Sequence, residues 1–264
     1  METDLAQRLL AVSGVVAVVL GGSRARGEHR PDSDTDLGLY YRGPLDVDAL
    51  RALAAQVATA HDVYGPGEWG PWVDGGGWLT VDGRAVDWIY RDLDRVRAVW
   101  ADCREGRYTV ERQVGHPLGF YSHAYAGEVA LCRVLADPTG EVSRLRAQAL
   151  DYPAALGDAL VGALWEAEFS IMGARKVPRD RVYVAGCLFR AVGVMAQALH
   201  GRTGRWTVNE KGIVASAARL PNAPAGFAEL AEAAVTDVDA ATALLAQVRS
   251  ATGTPGEAVF ADRP

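Results

Sequence analysis

One spacing constrains this chain more than any other feature. An apolar run, Val15 to Leu20, leads into Gly21-Gly22-Ser23, and after ten intervening residues the triplet Asp34-Thr35-Asp36 opens a second apolar run, Leu37 to Tyr41. The pattern predicts strand, tight turn, short helix, strand. Glycines at the turn let the backbone approach a phosphate closely, and the Ser23 hydroxyl adds a donor. Side chains alternate along a strand, so Asp34 and Asp36 are expected on one face. Two neighbouring carboxylates repel each other unless a cation lies between them, and hard oxygen ligands suit Mg²⁺. A phosphate cradle facing such a site implies nucleotidyl transfer from a nucleoside triphosphate.

A third acid follows. Asp82-Gly83 is a strong hairpin-turn pair. After it, Val86, Trp88 and Tyr90 share one face of a strand while Asp87 and Ile89 share the other. An aspartate among Val, Trp and Ile on a central strand is costly unless paired or metal-bound. Asp87 is therefore the candidate third carboxylate, and Asp82 is explained by the turn.

These residues resemble the signature of the DNA polymerase β-like nucleotidyltransferase superfamily, in which an apolar strand, Gly-Ser, a spacer of about ten and Asp-x-Asp recur, with a third carboxylate on a later strand. Thr35 stands where that family usually has an apolar residue; threonine is a good strand former. The likeness runs over about residues 10–90. A weaker one covers about 180–221: an apolar helix ending at His200-Gly201, a Gly204-Arg205-Trp206 turn, Lys211, and a helix ending Arg219-Leu220-Pro221. It is similar to the helical domain of streptomycin/spectinomycin-type aminoglycoside adenylyltransferases, where a lysine contacts the nucleotide phosphates. The resemblance implies an α/β (α+β) fold, a polymerase β-like domain with a mixed sheet followed by an all-α helical bundle. It also implies two Mg²⁺ ions, with Asp34, Asp36 and Asp87 as ligands and Asp87 alternatively as general base. Gly22, Ser23, Lys211 and Arg24 would hold the nucleotide, ATP or another nucleoside triphosphate.

The character of the chain changes from Val142 onward to an Ala-rich helical pattern, with helices expected at about 142–150, 153–175, 181–200, 208–218 and 226–250. Two domains are expected, 1–141 and 142–264, with the site in the cleft between them. In the first, a helix is expected at 3–13 with Thr3 as its cap, broken structure around His116-Pro117, and a last strand at 129–135.

Composition narrows the acceptor. With 27 basic and 33 acidic residues the net charge is −6, which argues against nucleic-acid backbone binding. A small-molecule hydroxyl, aminoglycoside-like, is the expected acceptor. A protein-adenylylating toxin or antitoxin, a non-catalytic nucleotide-binding module and an RNA-tailing enzyme are the alternatives. Three widely spaced cysteines, Cys103, Cys132 and Cys187, fit a reducing compartment. An acidic N-terminus without signal-peptide order, and no apolar run near the length of a membrane span, lead to the expectation of a cytoplasmic protein without membrane contact. Trp69, Trp72 and Trp78 are candidates to line the acceptor cleft, and Glu166 or Glu168 to meet a cationic acceptor.

Overall fold

The computed structural model describes residues 2–30 and 33–254. The chain divides into two compact units: the part up to Ala101 together with Thr109–Asp151, and Asp102–Tyr108 together with the chain from Tyr152.

In chain order the first unit contains α1 (Glu2–Leu10), β1 (Val15–Leu20), α2 (Gly22–Arg26), β2 (Thr35–Tyr41), α3 (Val47–Val57), β3 (Ala60–Val63), β4 (Gly76–Val81), β5 (Arg84–Asp92), most of α4 (Leu93–Arg104), β6 (Val110–Gln113), β7 (His116–Tyr121), α5 (Ala124–Leu131), β8 (Arg133–Ala136) and α6 (Glu141–Ala149). Among the described residues the strands form a six-stranded sheet, order β3-β4-β5-β2-β1-β8, and the separate hairpin β6-β7. The sheet is mixed: β2 and β5 run parallel and the other neighbours antiparallel.

Alternation along the two central strands sorts the faces. Leu37 and Leu39 of β2, and Val86, Trp88 and Tyr90 of β5, are buried in one core with Leu5 and Leu9 of α1 and Leu50 and Leu53 of α3. Full burial of each such side chain is worth about 1.5–3 kcal/mol. Asp36 and Asp87 fall between these positions and point to the opposite face, where they are only partly buried. The predicted turn joins β4 to β5: Asp82 and Gly83 both have positive φ, 50° and 73°, and Val81 pairs with Arg84 across them.

Several expectations are corrected. The first helix already runs from Glu2, so Thr3 lies inside it. His116-Pro117 opens β7 instead of breaking structure; its sheet has two strands, both of them edges, which tolerate proline. Residues 124–131, expected in part as strand, are helix α5, and only Arg133–Ala136 is strand. Helix α6 belongs to the first unit, so helical character begins before the units divide.

The second unit holds α7 (Ala154–Gly162), α8 (Leu164–Lys176), α9 (Arg181–Arg202), α10 (Ile213–Ala217), α11 (Phe227–Ala234) and α12 (Val238–Thr252). The helix expected over 153–175 is two helices, separated at Ala163. The helix expected over 226–250 breaks before Asp237, whose carboxylate accepts the Ala240 N–H and caps α12. Contrary to the sequence expectation, α9 is long and apolar enough to span a membrane by composition, with 56% of its most apolar stretch buried in the unit. It packs on α7, α8, α10 and α12. The two glutamates of α8 are engaged in ion pairs: Glu166 with Arg190 at 2.5 Å and Glu168 with Arg249 at 2.7 Å.

Candidate active site

The turn after β1 is built around Asp36. The Gly21 N–H donates to the Asp36 carbonyl at 2.8 Å. Gly22 follows with φ +60°, and a Cβ there would lie 1.7 Å from Asp36 Oδ2. Only glycine meets both demands, the left-handed backbone and the contact with the carboxylate. Ser23 stands next, in the first turn of α2 and partly buried.

Arg24 has a different employment from the one expected. Its Nε donates to the carbonyls of Ser33 (3.1 Å) and Asp34 (3.0 Å), and a terminal nitrogen donates to Ser33 O at 2.6 Å. The guanidinium thus ties the segment carrying Asp34 to α2. Arg26 pairs with Glu28 at 2.8 Å.

Asp36 and Asp87 are direct partners in the parallel β2–β5 register, so their carboxylates stand on neighbouring strands, which lie about 4.8 Å apart, on one face. Asp34 is exposed just before β2. Burial and neighbouring charge act on two of the three. Asp36 has its pKa raised from 3.8, first by burial and then by the Asp34 charge, with Glu128 adding to the rise and Arg26 and Arg24 opposing it. Asp87 is pushed up to about 6 by burial, then by Asp36 and Asp34.

Among the described residues no three His, Cys, Asp or Glu side chains are grouped to hold a metal ion. The Asp36–Asp87 pair nevertheless suits a hard divalent cation: two carboxylates on one face, raised first by burial and then by neighbouring carboxylate charge, gain from a positive charge between them. Asp34 reaches the pair through its charge.

Beyond Asp87 the row continues. Trp78 of β4 is directly opposite Asp87, and Asp62 of β3 is directly opposite Trp78. Trp78 is 51% exposed, and Asp62 is exposed. The Trp78 indole stacks on Trp69 (centroids 4.7 Å, 22° between planes) and meets Tyr64 edge-on at 5.5 Å. Gly76 makes this possible: a Cβ there would strike the Trp69 ring at 2.7 Å and the Trp88 carbonyl at 1.9 Å. Trp72 belongs to another group, stacked on Phe120 at 5.6 Å with the Arg95 guanidinium 3.9 Å over its ring. Asp62 was not among the residues singled out from the sequence.

Lys211 lies in the second unit, exposed in the turn before α10. It is not in the helix's first turn as expected, because Gly212, at φ 72°, precedes Ile213 as the cap. The Asn209 carboxamide oxygen accepts the Lys211 N–H at 2.9 Å and so braces the turn.

Residues 3–64, which run from α1 through β3, match the family model of the nucleotidyltransferase domain. This N-terminal part of the chain is therefore similar to a nucleotidyltransferase domain, a type that supports nucleotidyl transfer and takes a nucleoside triphosphate. No curated protein matches the sequence. Among solved structures, a nucleotidyltransferase-like protein from Exiguobacterium sibiricum 255-15 is similar over 95% of this chain and 76% of its own, at 11% identity and a TM-score of 0.44.

Proposed function

We propose that this protein moves a nucleoside monophosphate, AMP from Mg-ATP, onto a hydroxyl of a small aminoglycoside-like molecule, as an antibiotic-inactivating enzyme of the cytoplasm would. The observation that carries the reading is the Asp36–Asp87 register pair, with Gly22 pressed against Asp36.

In this reaction the acceptor oxygen forms a bond to the α-phosphorus. The bond from that phosphorus to the bridging oxygen breaks, and its electron pair leaves on pyrophosphate. The hydroxyl proton passes to the Asp87 carboxylate. A carboxylate whose conjugate acid has a pKa near 6 is a better base than an ordinary one. Asp34 and Asp36 would hold the two Mg²⁺ ions, with Asp87 a further ligand in the alternative in which it is not the base; the ions would supply Lewis-acid stabilisation of charge on the transferring and leaving oxygens. The Gly22 backbone and the Ser23 hydroxyl would cradle the β- and γ-phosphates. Arg24, bonded to the Ser33 and Asp34 carbonyls, positions Asp34 in this scheme. Lys211 enters the nucleotide set on the strength of the sequence resemblance.

The test is mass spectrometry of purified protein with Mg²⁺ and mixed nucleoside triphosphates, offered an aminoglycoside panel in parallel with a cell extract. A nucleotide-mass adduct on an aminoglycoside is expected, with none from Asp36→Asn. An adduct on an extract protein instead would shift the reading to a protein-adenylylating enzyme. An Asp36→Asn variant with full activity would sink the carboxylate assignment.

A further inference from the structure

The row of side chains across this face of the sheet has a direction. At one end the Gly21-Gly22 turn contacts Asp36. Asp36 faces Asp87, Asp87 faces Trp78, and Trp78 faces Asp62. The carboxylate pair thus has a glycine turn on one flank and an exposed aromatic followed by an exposed acid on the other. If the turn takes the phosphates, the nucleotide occupies the β1 side of the pair, and the attacking molecule must approach from the β4 side.

Three features make Trp78 a platform for that molecule. Half of a large apolar side chain lies open to water, at a cost that contact with a ligand would recover. Its orientation is fixed in advance by Trp69 and Tyr64, so little conformational freedom is lost on binding. Antiparallel partners have Cβ atoms about 5 Å apart, which sets the Trp78 side chain next to that of Asp87 on the neighbouring strand. An indole face attracts cations, and Asp62 adds a negative charge one strand further out.

Resting on the function proposed above, we infer that Trp78 and Asp62 form the acceptor subsite. Its ligand is a saturated ring that lies on the indole face, presents a hydroxyl towards Asp87 and carries an ammonium group towards Asp62. Trp69 supports the platform from beneath Trp78, and Trp72 takes no part.

Ligand-observed NMR on the full-length protein tests this, with 2-deoxystreptamine as the cationic ring, its di-N-acetyl derivative as the neutral control, and Mg-ATP followed separately. The variants are Trp78→Leu, Trp78→Phe and Asp62→Asn, each checked for an unchanged melting curve. Wild type should bind the diamine. Trp78→Leu should weaken that binding about tenfold, equivalent to about 1.4 kcal/mol, while Trp78→Phe retains most of it. Asp62→Asn should cost roughly two- to fivefold for the diamine, as expected for an exposed ion pair, and nothing for the acetylated ring. Mg-ATP affinity should be unchanged in all three. Loss of Mg-ATP binding in Trp78→Leu with the diamine unaffected would overturn the inference and make Trp78 a base-stacking residue. Failure of wild type to bind the diamine at millimolar concentration would overturn the ligand class. If wild type binds no Mg-ATP, or Asp36→Asn binds it equally well, the functional reading itself fails, a result separable from either outcome at Trp78.

Discussion

Replacing Asp87 by asparagine should stabilise the metal-free protein. The Asp87 carboxyl has its pKa raised from 3.8 to about 6 by burial and by the charges of Asp36 and Asp34. A carboxyl raised on folding keeps its proton over a pH range in which the unfolded chain has lost it. The folded state then binds more protons than the unfolded one, and stability falls as pH climbs from about 4 to about 6. Above that window the charged carboxylate is a standing penalty. Undiscounted, the rise corresponds to about 3 kcal/mol. Asp87 is only half-buried, so solvent screening reduces this to about 1–2 kcal/mol. For a chain of this size that is a melting-temperature increase of roughly 2–6 °C. The assay is thermal unfolding of wild type and Asp87→Asn in EDTA, at about pH 7 and again at about pH 4. The variant should be more stable at the higher pH, and the difference should shrink at the lower one, where both states of wild type approach protonation. Adding Mg²⁺ should raise wild type more than the variant. A variant less stable than wild type in EDTA at neutral pH would refute the reasoning, because it would mean that Asp87 contributes favourable bonds that outweigh its repulsion and desolvation.

Two further outcomes follow from the same geometry. Gly22→Ala should cost about 1–2 kcal/mol from its left-handed backbone and should push the Asp36 carboxylate aside, since the added Cβ would lie 1.7 Å from Oδ2; Mg-ATP titration should show a loss of about tenfold or more, and an unaltered affinity would dissociate the turn from the nucleotide. Glu168→Ala should leave Arg249 without its carboxylate in a site where the two side chains are only 12% and 11% exposed; a loss of about 2 kcal/mol is expected from the melting transition of the helical unit, with Mg-ATP binding unaffected.

The local structure around the candidate site was legible where local rules suffice. Gly-Gly-Ser and Asp-x-Asp announce themselves through turn chemistry and alternation, and Asp87 through its conflict with apolar neighbours on a strand. The parallel pairing of Asp36 with Asp87 was not legible. Parallel strands are joined by a crossover, here running through α3, β3 and β4, and no local turn sets their register. Arg24 was also beyond reach, because two backbone carbonyls outside its own helix decide where its guanidinium lies. The single-helix readings of 153–175 and 226–250 failed because alanine-rich periodicity continues through a break that a tertiary turn imposes.

The Trp78–Asp87 pairing stands between these cases, and it marks how far local chemistry extends into the site. Asp82-Gly83 is a two-residue turn with both φ values positive. Such a loop fixes the hairpin register outright, so once Val81 is set against Arg84, Thr80 meets Ala85, Leu79 meets Val86 and Trp78 meets Asp87. The turn is legible in the sequence, and the register it sets reaches three pairs away. The same two residues that terminate β4 therefore set an aromatic residue opposite the third carboxylate. A one-residue slip in that hairpin would carry Trp78 to the buried face and leave the β4 flank of Asp87 without its platform. The turn is thus part of the site: inserting one residue between Asp82 and Gly83 should weaken acceptor binding as Trp78→Leu does, whereas Asp36, held by β1 and β5, should keep its place beside Gly22.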